Sequence, residues 1–307
     1  MKSRYNSAFD EILPGLTEAV PALRGLRLEQ IATPLGGLSN TSYRLDLPDG
    51  PLVLRVPRPN PGPFCIDRLE EVEAARFAGM AGFGPPVVYA DPHGVMLTRY
   101  IEEAKPMSVQ AYRSNPGSVQ RTADAVVRLH RSGQRFKRQF SPFRIISDYG
   151  DECRRLHGGS PMLPSRLEAA VEGARARMTA SSVPLVPSHC DLVPENCLDT
   201  GSRVFLIDWE YARMNDPAWD LAYLCVEGGF DAPQEQLLLA SYGNDAVTCG
   251  RLQVFKLLAC TVNALWGTLR EGMERRSVLD SWTHERLASA MQLADDPRWT
   301  TWLAELK

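Results

Sequence analysis

Strand-like and helical runs are segregated along this 307-residue chain, and that segregation limits the fold more than any other feature. Residues 7–24 read as short helices interrupted at Pro14-Gly15 and by Pro21. Three runs of strand character follow: LRLEQIAT (26–33), TSYRLDL (41–47) and PLVLRVP (51–57). The second and third are separated by Pro48-Asp49-Gly50, a tight-turn signal that makes them a hairpin. Between the first and second lies a glycine-containing turn, PLGGLSN (34–40). The stretch IDRLEEVEAARFAGMA (66–81) then places Leu69, Val72, Ala75 (or Arg76) and Phe77 near helical spacing, and GFGPP ends it. Two more strand-like runs are VVYAD (87–91) and GVMLTRYI (94–101).

After Lys105-Pro106 the character changes. Ser108 caps a helix through AYRSNPGSVQRTADAVVRLH that restarts at Asn115-Pro116-Gly117. Helical signals also cover 164–180, 217–227, 233–242, 249–274 and 283–294. Short strands are predicted only near 184–188 and on both sides of Thr200-Gly201. The expected class is α+β: a small β-rich lobe over 1–100, a connection at about 98–106, and a larger helical lobe over 101–307.

A hydrophobic share of 44% is ample for a large buried core. The net charge of -3, from 34 basic and 37 acidic residues, argues against nucleic-acid binding through a basic surface. RFKRQF (135–140) is too short to alter that and reads as a solvated helix end or loop. Seven irregularly spaced cysteines, with no CxxC pair, suggest neither a zinc site nor a disulfide framework. The first residues lack the apolar core of a signal peptide, and no run of 18 apolar residues suggests membrane insertion. A soluble cytoplasmic protein is expected.

The residues with chemistry in them gather at HCDLVPEN (189–196) and VFLIDWEY (204–211). The short strands CLD and RVFLID, turning at Thr200-Gly201, resemble a hairpin that would bring Asn196 and Asp208 close together. An amide oxygen and a carboxylate are hard ligands suited to Mg²⁺ on a nucleotide, and Asp191 could accept or orient the proton of an attacking hydroxyl. Asp and Asn in a proline-containing loop also serve simply to satisfy turn backbone groups. His189 reads as a packing residue of the loop. Upstream, GGLSN (36–40) lies between strands, so it is neither a Walker A nor a Rossmann fingerprint. Its amides and the Ser39 and Asn40 side chains could close over phosphates; a plain hairpin loop is the alternative. Arg55 stands where a phosphate-contacting cation is wanted, with Glu70, Glu71 and Glu73 available as partners. An exposed ion pair of small energetic value is the bland reading.

These residues resemble the choline/ethanolamine kinases, in the aminoglycoside phosphotransferase-like branch of the protein-kinase fold. The resemblance runs from about Leu35 to Gly272. HCDLVPEN has the H-x-D-x-x-x-x-N spacing of a kinase catalytic loop, and LIDWEYA is similar to the family's second signature. GGLSN looks like the family's phosphate loop, and an arginine such as Arg55 in place of the kinase lysine is typical of it. LTRYIEE (97–103) is similar to the hinge that holds adenine through backbone groups near Arg99 and Ile101. Counting back from Gly84 favours Glu71 as the partner of Arg55. Bacterial choline kinases are similar in IDR, TRYIE and DWEYARMNDPAWDLA.

The resemblance implies a two-lobed protein-kinase-like fold, ATP and Mg²⁺ as cofactors, and transfer of the γ-phosphoryl group to the hydroxyl of choline. Asp191 would act on that hydroxyl, Asn196 and Asp208 would hold the metal, and Ser39, Asn40 and Arg55 would contact phosphates. Tyr211, Glu227 and Trp266 would line the acceptor site, since a quaternary ammonium needs aromatic faces and a nearby carboxylate. Asn263 replaces a second tryptophan found in some eukaryotic members. Without the family, Trp266 on an apolar helix would read as a core residue. Asp220 is expected to be structural, with hydrogen bonds to the catalytic loop, and His130 to pack between helices. Glu210 has no clear assignment, though its proximity to Asp208 would suit a supporting role behind the metal ligands. Ethanolamine, thiamine or an aminoglycoside remain alternative acceptors, and a catalytically inactive nucleotide-binding scaffold is a second alternative.

Overall fold

The computed structural model describes residues 15–18, 20–24, 32–36, 40–58, 66–159, 162–180, 183–243, 247–274 and 280–306. The chain divides into two units, one of Met1–Lys105 with Leu198–Ala212, the other of Pro106–Cys197 with Arg213–Lys307. The segment 198–212, which the order of elements alone assigns to the helical lobe, therefore belongs with the first unit.

The first unit is built on a five-stranded antiparallel sheet: β1 (Ala32–Gly36), β2 (Asn40–Leu45), β3 (Leu52–Pro57), β4 (Val87–Ala90) and β5 (Met96–Arg99), in the order β1-β2-β3-β5-β4. The PDG turn closes β2 onto β3, with Gly50 at φ 103°, a conformation open to glycine at little cost. Leu52 and Leu54 point into a core with Tyr43, Leu45, Val95 and Leu97, covered by Leu16, Val20 and Leu23. Full burial of each such leucine contributes about 2–3 kcal/mol. By the two-residue period of a strand, Arg55 then faces the other side of the sheet.

Helix α1 (Arg68–Ala81) presents Glu71 to that side. Asp67, at its N-cap, accepts from the amides of Leu69 and Glu70 and so sets where the helix begins. That phase buries Glu71, Val72, Ala74, Ala75 and Ala78, while Leu69, expected on the apolar face, is exposed. Gly82 ends the helix in the left-handed conformation.

In the second unit α2 (Val109–Ser114), capped by Ser108, gives way at Asn115-Pro116 to α3 (Pro116–His130), as the sequence indicates. α4 (Pro142–Leu156) was not anticipated, and α5 (Ser165–Ala180) follows it. β6 (Val186–Ser188) leads into the loop at 189–196. β7 (Cys197–Asp199) and β8 (Val204–Leu206), which belong with the first unit from Leu198 on, then form the expected hairpin. β9 (Arg213–Asn215), an unanticipated strand, pairs antiparallel with β6. The remaining helices are α6 (Pro217–Glu227), α7 (Ala232–Tyr242), α8 (Cys249–Glu274), α9 (Asp280–Asp295) and α10 (Trp299–Ala304). The stretch Cys249–Met273 is long and apolar enough to cross a membrane by length and composition, yet 83% of its most apolar window is buried in the protein. It is the central core helix of this unit. The six described cysteines are all free thiols.

Candidate active site

In the first unit Asp208 is brought to the sheet by the β7–β8 hairpin. Gly84 allows the approach: a Cβ there would lie 2.7 Å from the Ala78 Cβ and 3.3 Å from the Leu206 carbonyl oxygen. With that space open, the Leu206 amide donates to the Phe83 carbonyl at 2.7 Å. The buried Trp209 ring packs 5.9 Å from Phe83. The chain then turns at Asp208 itself, whose φ of 67° is left-handed without glycine. Such a residue stores about 1–3 kcal/mol of strain and persists only where surrounding contacts hold it.

Arg55 is the centre of those contacts. Its Nη2 donates to Asp208 Oδ1 at 2.8 Å and to Glu210 Oε2 at 3.5 Å, and its Nη1 donates to Glu71 Oε1. Arg68, the first residue of α1, donates through Nη1 to Glu71 Oε2 at 2.7 Å and to Glu210 Oε2 at 3.4 Å. Glu71 is thus clasped by two guanidinium groups. Asn40 Nδ2 donates to Glu210 Oε2 at 3.1 Å, and Asn40 Oδ1 is buried with no partner among the described residues.

Burial pushes the Glu210 carboxyl up, and nearby Asp208 adds to the shift against Arg55, Asn40 and Arg68. Burial likewise lowers the Arg68 guanidinium, opposed by Glu210. Two guanidiniums face three carboxylates, leaving one net negative charge. Oxygen atoms of Glu71, Asp208 and Glu210 lie within 4.8 Å of one another. All are hard donors, and Asp208, with its side chain 30% exposed, keeps Oδ2 without a hydrogen bond among the described residues. A divalent cation such as Mg²⁺ fits this donor chemistry, with Asp208 as the reachable ligand.

In the second unit the loop 189–196 is held from beneath by Asp220. Asp216 caps α6 by accepting from the Ala218 amide at 3.0 Å, and is itself ion-paired with the buried Arg251. This fixes the first turn of α6 and aims Asp220. Its Oδ2 accepts from the His189 amide and its Oδ1 from the Cys190 amide, both at 2.8 Å. His130 Nε2 lies 3.0 Å from Oδ2, while His130 Nδ1 meets the Tyr242 hydroxyl at 2.7 Å. Burial acts to raise the Asp220 carboxyl, but the hydrogen bond and charge of His130, together with His189, hold it below its ordinary value.

Trp219 Nε1 donates to the Cys190 carbonyl, so Cys190 is gripped at both backbone ends in a left-handed conformation of φ 66°. Its thiol is no nucleophile, because burial, with Asp220 nearby, raises it well above its usual value. The strained Cys190 turns the chain so that Asp191 follows. Asn196 Nδ2 donates to the Asp191 carbonyl at 2.9 Å and to its Oδ2 at 3.3 Å. Both partners are acceptors, so the amide nitrogen must face them, and the Asn196 oxygen remains available to a ligand.

At the far end of α6, Glu227 Oε1 accepts from Asn263 Nδ2 at 2.7 Å and from Arg286 Nε at 2.9 Å. Its Oε2 accepts from Arg286 Nη2 at 3.0 Å. Trp266, half-buried, stands edge-on to Trp282, with ring centroids 5.9 Å apart and planes at 79°. Hence the cation that Glu227 faces here is Arg286.

A family model described as the phosphotransferase enzyme family matches residues 30–252. The chain belongs to this family. It is 35% identical to a choline/ethanolamine kinase family protein from Mesorhizobium loti, whose crystal structure it matches with a TM-score of 0.82 over 97% of this chain and 98% of that one. It is 28% identical over 282 residues to protein LicA of Haemophilus influenzae, covering 84% of this chain and 99% of the relative. The crystal structure of choline kinase LicA from Streptococcus pneumoniae, 24% identical, matches with a TM-score of 0.75 over 92% of this chain and 98% of that one. The fold is the α+β protein-kinase-like fold of these phosphotransferases, and the protein is a phosphotransferase of that family.

Within that family framework the expected residues fall into separate local groups. Arg55, Glu71, Asp208 and Asn40 come together in the first unit, and Asp191 with Asn196 in the second. Glu71 is the partner of Arg55, as counting back from Gly84 indicated. Asn40 is engaged with Glu210. Arg99 uses its amide on the Pro86 carbonyl and Tyr100 uses its own on Pro51. The Ile101 amide has no partner among the described residues, while its carbonyl accepts from the Ala104 amide. Tyr211 is half-buried in the turn after Asp208. Ser39 and most of the proline-rich stretch 58–66 lie outside the described residues.

Sequence reasoning passed over Arg68, Trp282 and Arg286. Arg68 carried a signal, since i and i+3 on a helix are neighbours and Glu71 was already of interest. Arg286 carried none, because its partner is 59 positions away.

Proposed function

We propose that this phosphotransferase moves the γ-phosphoryl group of ATP to the hydroxyl oxygen of choline, giving phosphocholine and ADP. The observation that carries the reading is Asp191, which follows a left-handed residue locked by Asp220 and shares hydrogen bonds with Asn196. That arrangement gives a carboxylate one orientation toward an incoming hydroxyl. Choline as the acceptor is supported by the family of the Mesorhizobium loti relative and by the choline kinase LicA structure. The half-buried Trp266 suits a quaternary ammonium.

Asp191 orients the acceptor hydroxyl and takes its proton as the new P–O bond forms and the bond to the ADP oxygen breaks. Arg55, positioned by Glu71, meets the phosphates, with Asn40 and Ser39 beside them. Backbone groups near Arg99 and Ile101 hold adenine, so residues 1–100 act as the nucleotide lobe. Residues 101–307 supply the loop 189–196 and the acceptor residues Tyr211, Glu227 and Trp266. Asn196 and Asp208 would hold Mg²⁺, which would neutralise phosphate charge when bound. Dependence on ATP makes the cytoplasm the compartment of action.

The test is a coupled ADP-release assay with ATP and Mg²⁺, run in parallel on choline, ethanolamine, thiamine and kanamycin. Choline-dependent ADP release above the other acceptors is expected. Preference for another alcohol would keep phosphoryl transfer and discard choline. No release with any acceptor would favour a nucleotide-binding scaffold.

A further inference from the structure

We infer that Arg286 sets the acceptor preference of this enzyme, by occupying the Glu227 carboxylate so that the site favours a quaternary over a primary ammonium. The inference rests on the proposed reading that Glu227 and Trp266 face the acceptor.

A carboxylate offers about four lone-pair positions. Three on Glu227 are filled, by Asn263 Nδ2 and Arg286 Nε on Oε1 and by Arg286 Nη2 on Oε2. Its charge is matched by a guanidinium in bidentate contact. Both side chains are largely out of water, at 8% exposure for Glu227 and 15% for Arg286. Burial alone would lower the Arg286 guanidinium, but Glu227 beside it outweighs that and raises it above its ordinary value.

A primary ammonium that leaves water gives up three N–H hydrogen bonds and must find acceptors to replace them. Glu227 has little to offer it. A quaternary ammonium has no N–H to satisfy and is held by aromatic faces instead. Two such faces stand here, Trp266 on α8 and Trp282 on α9, nearly perpendicular. Each already carries a cation in this structure: Arg270 lies 5.5 Å from the Trp266 ring centre and Arg286 lies 5.3 Å from that of Trp282. Gly267 makes the corner possible. A Cβ there would collide with Thr283 and reach within 3.2 Å of Trp282 Cζ3, forcing α9 away. Asn263 meanwhile helps occupy the carboxylate.

The experiment compares kcat/KM for choline and ethanolamine in the full-length protein, in Arg286→Met and in the double variant Arg286→Met/Glu227→Gln. Wild type should prefer choline. Arg286→Met frees the carboxylate and should shift the ratio toward ethanolamine by about tenfold or more, the scale of a charged hydrogen bond. The double variant removes the freed charge and should return the ratio toward wild type. An unchanged ratio in folded Arg286→Met would overturn the inference. If Arg286→Met does not fold, the double variant decides: a choline preference supports the inference, and a shift to ethanolamine sinks it. Wild-type protein that phosphorylates neither amine alcohol would instead remove the underlying reading of the acceptor site.

Discussion

Asp208 and Asp220 are both aspartates at the edge of apolar segments, yet their surroundings are opposite. Asp220 is fully buried, and both oxygens are occupied by the His189 and Cys190 amides and by His130. Asp208 is partly exposed, with one oxygen on Arg55 and the other carrying no hydrogen bond among the described residues. A saturated carboxylate can only hold the chain in place. One with a lone pair to spare can take a ligand. The two left-handed residues divide in the same way. At Cys190 the strain lies one residue before Asp191, and at Asp208 it lies in the residue that carries the open carboxylate oxygen itself.

The comparison breaks most visibly in rate. Asp191→Ala and Asp208→Ala should each lower turnover by at least about 10³-fold while circular dichroism and thermal melting stay near wild type. An unchanged rate in either would remove that residue from the mechanism.

Asp220→Ala should behave differently, because it strands two buried amides and an imidazole. A loss of about 3 kcal/mol or more in urea unfolding is expected, together with slower turnover from a loosened loop. A protein of wild-type stability would mean that Asp220 is not the anchor.

The pH dependence sharpens the same contrast. The folded-state pKa of Asp220 lies below its ordinary value. Its stabilisation is therefore fully present above that ordinary value, about 4, and disappears as pH falls through the folded-state pKa. The stability gap between wild type and Asp220→Asn should be constant at pH 6–7 and narrow on acidification, as read from urea midpoints. A gap that widens in acid would contradict the sign.

The smallest effect concerns backbone strain. Asp208→Gly should be inactive but as stable as wild type, or more stable by about 1 kcal/mol, since glycine relieves the positive φ. Marked destabilisation would show that the Arg55 contact outweighs the strain and that Asp208 also serves the fold.

Much of the fold was legible because its cues are local. The PDG turn, the Ser108 cap and the Asn115-Pro116 restart each act over a few residues, and the structure follows them. α4 escaped notice because its buried face, Ile146, Tyr149, Gly150 and Cys153, is small and interrupted by glycine. Leu69 was misplaced because periodicity indicates a stripe but not its phase, which the Asp67 cap decides. Among the candidate residues, the motif spacing singled out Asp191, Asn196 and Asp208, and the structure pairs Asp191 with Asn196 and Asp208 with Arg55; the Arg55–Glu71 pair was expected from the family resemblance.

By itself, then, the sequence determined most of the strands and helices, though not α4 or β9, and the residue types available for phosphoryl transfer, through turn chemistry and periodicity that act within a few residues. Only the tertiary structure decided which carboxylates are left open. Asp208 meets Arg55 across 153 positions, and Glu227 meets Arg286 across 59. A charge in a protein is defined by the partner that folding brings to it, and no local pattern encodes that partner.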